Sequence, residues 1–281
     1  MNSEDIRSNR KKYIKSAIVL LIVIALLLFC NFQNKHLETT HYTYEAEQLG
    51  VDLDGYRIVQ ISDLHNAKFG KNNQKLVDRI RECDPDMIVL TGDLVDSNHT
   101  NVDRAVQFVN EIVKICSVYY VTGNHEYWLD TSEYENLMDG LASAGMIILD
   151  DQVVEISRGD AKFRLVGLDD KSLADGTLEA LLSDEKELTV VLAHEPQYFA
   201  RYAGTGVDLV LSGHAHGGQF RLPFVGGIVA PDQGFLPEYT AGEYYMNGTE
   251  MIVSRGLGNS VVPVRLFNYP EIVCVELVGK H

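Results

Sequence analysis

The chain has 281 residues, 46% apolar and 23% charged, a composition that excludes fibrous and disordered proteins. Its formal net charge is −16; residues 1–31 hold five basic and two acidic side chains, a net of +3, which leaves −19 on everything after them. A domain this acidic repels polyanions, so no nucleic acid is expected as a partner.

Residues 17–30 are uninterruptedly apolar. Extended to residues 13–32 the segment reaches the length that crosses a bilayer, with Lys15 able to snorkel its ammonium to the interface. No small-x-small pattern closes it, and Phe29 before Cys30 is too bulky for a lipoprotein site, so it reads as an uncleaved anchor. Basic residues crowd its N-terminal side and only Lys35 follows closely, which puts the N-terminus in the cytoplasm and the domain outside. The expected division is a cytoplasmic tail (1–12), a transmembrane anchor (13–32), a linker with a first strand (33–54) and one large domain (55–281). Cys30, Cys83, Cys116 and Cys274 form no C-x-x-C pair and no disulfide framework. They read as three buried thiols and one in the anchor.

After a polar linker at 35–40, alternation predicts a strand at 42–47. A unit then recurs: apolar strand, polar loop, amphipathic helix. Strand 57–61 runs into Ser62-Asp63-Leu64-His65, and helix 74–83 follows. Strand 87–90 runs into Thr91-Gly92-Asp93, then helix 102–114 with Val102, Val106, Val109 and Val113 on one stripe. Strand 118–121 runs into Thr122-Gly123-Asn124-His125-Glu126, then helix 132–143. From Met146 the strands shorten, at 146–149, 152–157 and 162–167. Strands 188–193 and 207–211 lead into His194 and Gly213-His214-Ala215-His216, and late strands fall at 243–246, 250–254 and 271–277. The pattern is that of an α/β chain, parallel in its first half, best housed in two face-to-face sheets with helices outside.

Five motifs therefore sit just past the C-terminal ends of five strands, the edge where open α/β sheets bind ligands. Each is weak alone, since Gly-Asp is a common turn and a lone histidine is usually structural. Together they use five of nine histidines in an ordered set, which chance does not supply. Carboxylate, imidazole and amide oxygens suit divalent Mn, Fe or Zn. Glycines before Asp93, Asn124 and His214 permit tight turns. Two such metals can clamp both oxygens of an in-line phosphoryl displacement.

The ordered pattern D-x-H, G-D, G-N-H-E, H, G-H-x-H resembles that of the calcineurin-like metallophosphoesterases, over residues 55–277. The runs Ile61-Ser62-Asp63-Leu64-His65, His214-Ala215-His216-Gly217-Gly218-Gln219 and Ser254-Arg255-Gly256-Leu257-Gly258 resemble a bacterial membrane-associated branch. That branch contains phosphodiesterases and relatives of UDP-diacylglucosamine pyrophosphatase. The resemblance implies a four-layer α/β/β/α sandwich of two mixed sheets, behind one N-terminal transmembrane helix, with two divalent metal ions per chain. It implies Asp63, His65 and His216 on one metal, Asn124, His194 and His214 on the other, and Asp93 bridging. A metal-bridging hydroxide would attack phosphorus while His125, oriented by Asp96, protonates the leaving oxygen.

Phosphoprotein phosphatases of the superfamily continue the second motif as G-D-x-x-D-R-G. Here Ser97 follows Asp96, and the missing arginine tilts the expected substrate toward a phosphodiester or pyrophosphate. A phosphomonoesterase with another clamp, such as Arg255, is the alternative. A non-catalytic metal-binding scaffold is the alternative of another class, opposed by the intact ligand and acid set. His99 and Arg255 are substrate contacts by position. Phe220, Leu222, Pro223, Phe224 and Val225, with Phe235, Leu236 and Pro237, read either as a packed loop or as a flap against the bilayer, the latter implying a lipid-linked substrate.

Overall fold

The computed structural model describes residues 3–46, 49–182, 187–259 and 262–280. In chain order its helices are α1 (Ser3–Lys35), α2 (Gln74–Glu82), α3 (Val102–Ile112), α4 (Asn124–Tyr127), α5 (Thr131–Ser143), α6 (Thr177–Leu181) and α7 (Phe199–Gly204). The strands begin with β1 (Glu38–Ala46), β2 (Tyr56–Ile61), β3 (Met87–Thr91), β4 (Ser117–Val121) and β5 (Ile147–Ile148). Next come β6 (Gln152–Arg158), β7 (Ala161–Gly167), β8 (Thr189–Leu192) and β9 (Leu209–Ser212). Two short ribbons follow, β10 (Arg221–Leu222) with β11 (Gly226–Gly227), and β12 (Val229–Ala230) with β13 (Gly234–Phe235). The last strands are β14 (Gly242–Met246), β15 (Thr249–Val253) and β16 (Glu271–Gly279).

Two six-stranded sheets result, ordered β1-β16-β2-β3-β4-β5 and β14-β15-β9-β8-β7-β6. Strands β2 to β5 are mutually parallel, and so are β7, β8, β9 and β15. Antiparallel strands β16, β6 and β14 make both sheets mixed. The apolar runs of the central strands β3, β8 and β9 follow from burial on both faces. Within β2 and β3, Ile58, Met87 and Val89 point into the layer between the sheets, while Val59, Ile61, Ile88 and Leu90 lie under α2, α3 and α5. On the far side of the second sheet Val191, Val210 and Val253 pack with Phe199 and Tyr202 of α7. The four-layer expectation is met.

Three local readings are corrected. The stripe of α3 is shifted: Ala105, Phe108, Val109 and Ile112 are fully buried, while Val102, Val106 and Val113 sit at the margin of that core. Larger side chains take the sheet-facing side, and Val106 instead meets α5 at Gly140, where any Cβ would lie 2.6 Å from its Cγ2. Cys116 is only half-buried, like Cys30, and all four thiols are free.

The polar linker at 35–40 is not a linker, because α1 runs to Lys35 and β1 starts at Glu38. The last turn of α1 is held by the loop before β16. Asn34 Nδ2 donates to the Pro263 carbonyl (2.7 Å), Asn34 Oδ1 accepts from the Arg265 N–H (2.8 Å) and Gln33 Oε1 from the Phe267 N–H (3.1 Å). Upstream, α1 is long and apolar enough to cross a membrane, and its apolar window is not covered by the domain.

Tyr56 of the first sheet and Phe163 of the second meet edge to face, ring centroids 5.5 Å apart, in the layer between them. Phe163→Ala should cost about 3–5 kcal/mol of unfolding free energy. A denaturant midpoint lowered at unchanged m-value is the expected result; an unmoved midpoint would mean that this contact does not join the layers.

Candidate metal centre

The motifs converge where the C-terminal ends of β2, β3 and β4 meet those of β8 and β9. Gln60 ties the two sheets together beneath them, its Nε2 donating to Thr91 Oγ1 and to the Ser212 carbonyl, both at 2.9 Å. The turns beyond the strands are strained. Asp63 (φ 49°), His65 (φ 44°), Asp93 (φ 53°), His214 (φ 63°) and His216 (φ 47°) all hold the left-handed backbone that non-glycine residues avoid. Such strain persists only where surrounding structure over-determines it, and it clusters at functional sites.

Asp63, His65, Asp93 and His216 form one buried group, and Asp93, His194 and His214 a second. In the first, His65 Nε2 lies 3.4 Å from Asp93 Oδ2 and 3.2 Å from His216 Nε2, which lies 3.7 Å from Asp63 Oδ1. In the second, Asn124 Oδ1 lies 3.1 Å from His194 Nε2 and 3.0 Å from His214 Nδ1, and those two nitrogens are 3.2 Å apart. His194 Nε2 is 3.3 Å from Asp93 Oδ2. Burial drives His65 down to about 3 against the pull of Asp93; burial and then Arg265 hold His216 well below its ordinary value. Both rings are therefore neutral, and two neutral imidazole nitrogens facing each other in a dry pocket want a shared cation or proton. The donor set fits divalent cations.

Partners outside the groups aim the donor atoms. His194 Nδ1 donates to the Thr91 carbonyl (2.7 Å), which leaves Nε2 facing inward. His214 Nε2 donates to Asp232 Oδ2 (2.9 Å), which leaves Nδ1 inward. Asp93 Oδ1 accepts the His125 N–H (2.9 Å), so Oδ2 is the oxygen presented to both groups. Glu126, fully buried, accepts from the backbone N–H groups of Asp93 (2.9 Å), Leu94 (2.8 Å), Val95 (3.2 Å) and Gly123 (2.8 Å). It thereby locks the second motif to the third. Burial and then Asp93 push its carboxyl up to about 8, while the N–H groups of Gly123 and Val95 pull the other way. Sequence reasoning assigned no role to Asp232 or Glu126. Asp232 lies in the turn of the second ribbon, between β12 and β13, with no motif around it; Glu126 closes the third motif, a signal that was present but unused.

His125 stands beside the groups, its ring 4.5 Å from that of His65 and 4.6 Å from that of Trp128. The Ser97 backbone N lies 3.1 Å from Nδ1, and Asp96 Oδ1 is 3.7 Å away and accepts the Asn98 N–H (2.9 Å). Asp96 thus borders the same ring nitrogen while closing its own turn on Asn98, and Ser97 Oγ lies 3.1 Å from that nitrogen. His99 is exposed, its Nδ1 3.6 Å from Asp96 Oδ2. The expected substrate role of Arg255 gives way to a structural one. Its guanidinium is taken by Glu271 Oε1 (2.7 Å) and Glu38 Oε2 (2.8 Å), which pins β1 to β16.

A sequence profile of the calcineurin-like phosphoesterase family matches residues 56–218. A Bacillus subtilis (strain 168) protein, the uncharacterized metallophosphoesterase YkuE, is 30% identical over 98% of this chain and 99% of its own length. An uncharacterized metallophosphoesterase of Aquifex aeolicus (strain VF5) is 32% identical over 93% of this chain and 99% of its own. The phosphodiesterase YaeI of Escherichia coli (strain K12) is 31% identical over 79% of this chain and 82% of its own.

A Cβ on Gly123 would lie 2.5 Å from Asp93 Oδ1 and 2.9 Å from His194 Nε2. Gly123→Ala should weaken Mn²⁺ binding about tenfold or more by isothermal titration, as displacement of supporting contacts does. Unchanged affinity would show that these atoms do not form the cation site.

Proposed function

The chain belongs to the calcineurin-like phosphoesterase family, and from that premise we propose a two-cation hydrolase that cleaves a phosphodiester or pyrophosphate bond at a membrane surface. One atom carries this function. Asp93 Oδ2 lies 3.4 Å from His65 Nε2 and 3.3 Å from His194 Nε2, so a single carboxylate oxygen serves two pockets. Asp63, His65 and His216 complete one pocket; Asn124, His194 and His214 complete the other. Mn, Fe and Zn all suit these donors. When bound, such a pair supplies positive charge to neutralise a phosphate and to acidify water near neutral pH.

The remaining work falls to the chain. His125, protonated on both ring nitrogens, delivers the Nε2 proton to the leaving oxygen and is left as neutral imidazole. Asp96 Oδ1, 3.7 Å from Nδ1, and Ser97 Oγ, 3.1 Å from it, support the cationic ring. His99, exposed beside Asp96, is placed to contact substrate. No arginine follows Asp96, and Arg255 is committed to carboxylates, so neither offers the bidentate fork that favours a dianionic monoester. The name of the Escherichia coli relative, a phosphodiesterase, supports the same choice.

Residues 13–32 of α1 are read as the anchor, with 1–12 cytoplasmic and the catalytic domain, residues 55–281, outside, because basic residues crowd the N-terminal flank. A lipid-linked phosphate is the substrate class that best suits an enzyme held there.

Two outcomes are expected of the Mn²⁺-loaded enzyme. His125→Ala should lower kcat by about 10²- to 10⁴-fold with metal content unchanged, and bis(p-nitrophenyl) phosphate should be turned over with higher kcat/KM than p-nitrophenyl phosphate. Full turnover in the variant would remove His125 from the mechanism; a preference for the monoester would replace the diester reading.

A further inference from the structure

The rigid junction between α1 and the domain fixes which face meets the membrane. We propose that the face bearing the two ribbons seats on the bilayer interface, so that the metal centre opens into the headgroup layer. This rests on the reading of α1 as an anchor.

No flexible tether separates α1 from the domain. Besides the hydrogen bonds of Gln33 and Asn34, Phe29 packs edge-on against Phe267 (6.2 Å), and Phe32 and His36 pack on Tyr269 (6.0 and 4.8 Å). Only His36 and Leu37 separate the helix from β1. The loop that grips α1 also grips the first ribbon and the last metal motif. The Arg221 N–H donates to the Leu266 carbonyl (3.0 Å), Gln219 Nε2 to those of Val262 and Val264 (2.8 and 2.7 Å), and Asn268 Nδ2 to that of His216 (2.7 Å). Helix exit, ribbons and metal motif thus form one connected body.

The apolar surface of this body is unpartnered. Outside α1, twelve large apolar side chains are exposed among the described residues, and eight of them belong to 222–236 or 262–267. Random scatter would not concentrate them there. Phe224, in the turn of the first ribbon, is fully exposed, and Phe235, on β13 of the second, is 73% exposed. Phe224 (φ 66°) and Leu236 (φ 54°) hold left-handed backbone while their side chains are exposed. Bulky residues in that conformation are outliers. Seating in hydrocarbon just below the headgroups supplies the missing contact. The −19 charge beyond residue 31 gives anionic lipid no attraction, so apolar insertion is the means. The seated segment also carries Asp232, the partner of His214, which puts the centre beside the interface. A phosphate within reach is then one that belongs to a lipid headgroup.

Trp128 is the only tryptophan, so Phe224→Trp in a Trp128→Phe background makes a single reporter at the ribbon tip. The full chain is reconstituted into phosphatidylcholine vesicles with bromine at defined acyl depths. Quenching by bromine near the headgroup end, with protection from aqueous iodide, is expected. Co-flotation with vesicles but quenching by iodide alone overturns the seating and leaves the anchor intact; failure to co-float overturns both. In parallel, Phe224→Ser with Phe235→Ser should cut hydrolysis of a vesicle-embedded lipid phosphodiester about tenfold or more, while turnover of a soluble phosphate ester and co-flotation are kept. Equal loss on both substrates overturns the proposal, and no hydrolysis of any ester by the unmutated chain would instead refute the catalytic reading.

Discussion

Asp93 Oδ2 lies 3.4 Å and 3.3 Å from two imidazole nitrogens in a fully buried pocket, and much of the architecture exists to keep it there. Left alone, such a cluster is unfavourable. Buried carboxylates lose hydration, and close-set nitrogens repel unless a cation lies between them. The chain holds the arrangement with rigid supports: four backbone N–H groups on Glu126, the Thr91 carbonyl on His194, Asp232 on His214, and the His125 N–H on Asp93 Oδ1. Five ligand-bearing residues accept left-handed backbone for the same end. A divalent cation held there would offset that strain and desolvation.

Most of the strand pattern was legible because strands buried on both faces read as unbroken apolar runs, and the central strands of this sandwich are buried so. The five motifs were legible because each must follow a strand end, which fixes both residue type and place. What escaped depends on contacts remote in sequence. Asp232 reaches His214 only because the second ribbon folds back over the motif. Ser97 joins Asp96 at His125 Nδ1, at 3.1 Å against 3.7 Å, because Asp96 also closes its own turn on Asn98, a local geometry that composition cannot rank. Arg255 looked available until β1 and β16 brought Glu38 and Glu271 to it. Short ribbons such as β10–β11 carry too few residues to show a period.

The docking of α1 links the two ends of the molecule. A polar stretch after an apolar helix usually reads as a linker, as residues 35–40 did. Here Gln33 and Asn34, just before that stretch, hold fixed hydrogen bonds to the loop that also borders the metal motif. The exit of α1, the exposed apolar tips and the partner of His214 thus belong to one connected segment.

The shared oxygen is tested most directly by electron paramagnetic resonance of the Mn²⁺-loaded chain, with metal content measured on the same sample. The expected result is an exchange-coupled pair at two ions per chain, with coupling lost in Asp93→Asn. A single uncoupled ion in a fully active enzyme would contradict a centre built around Asp93.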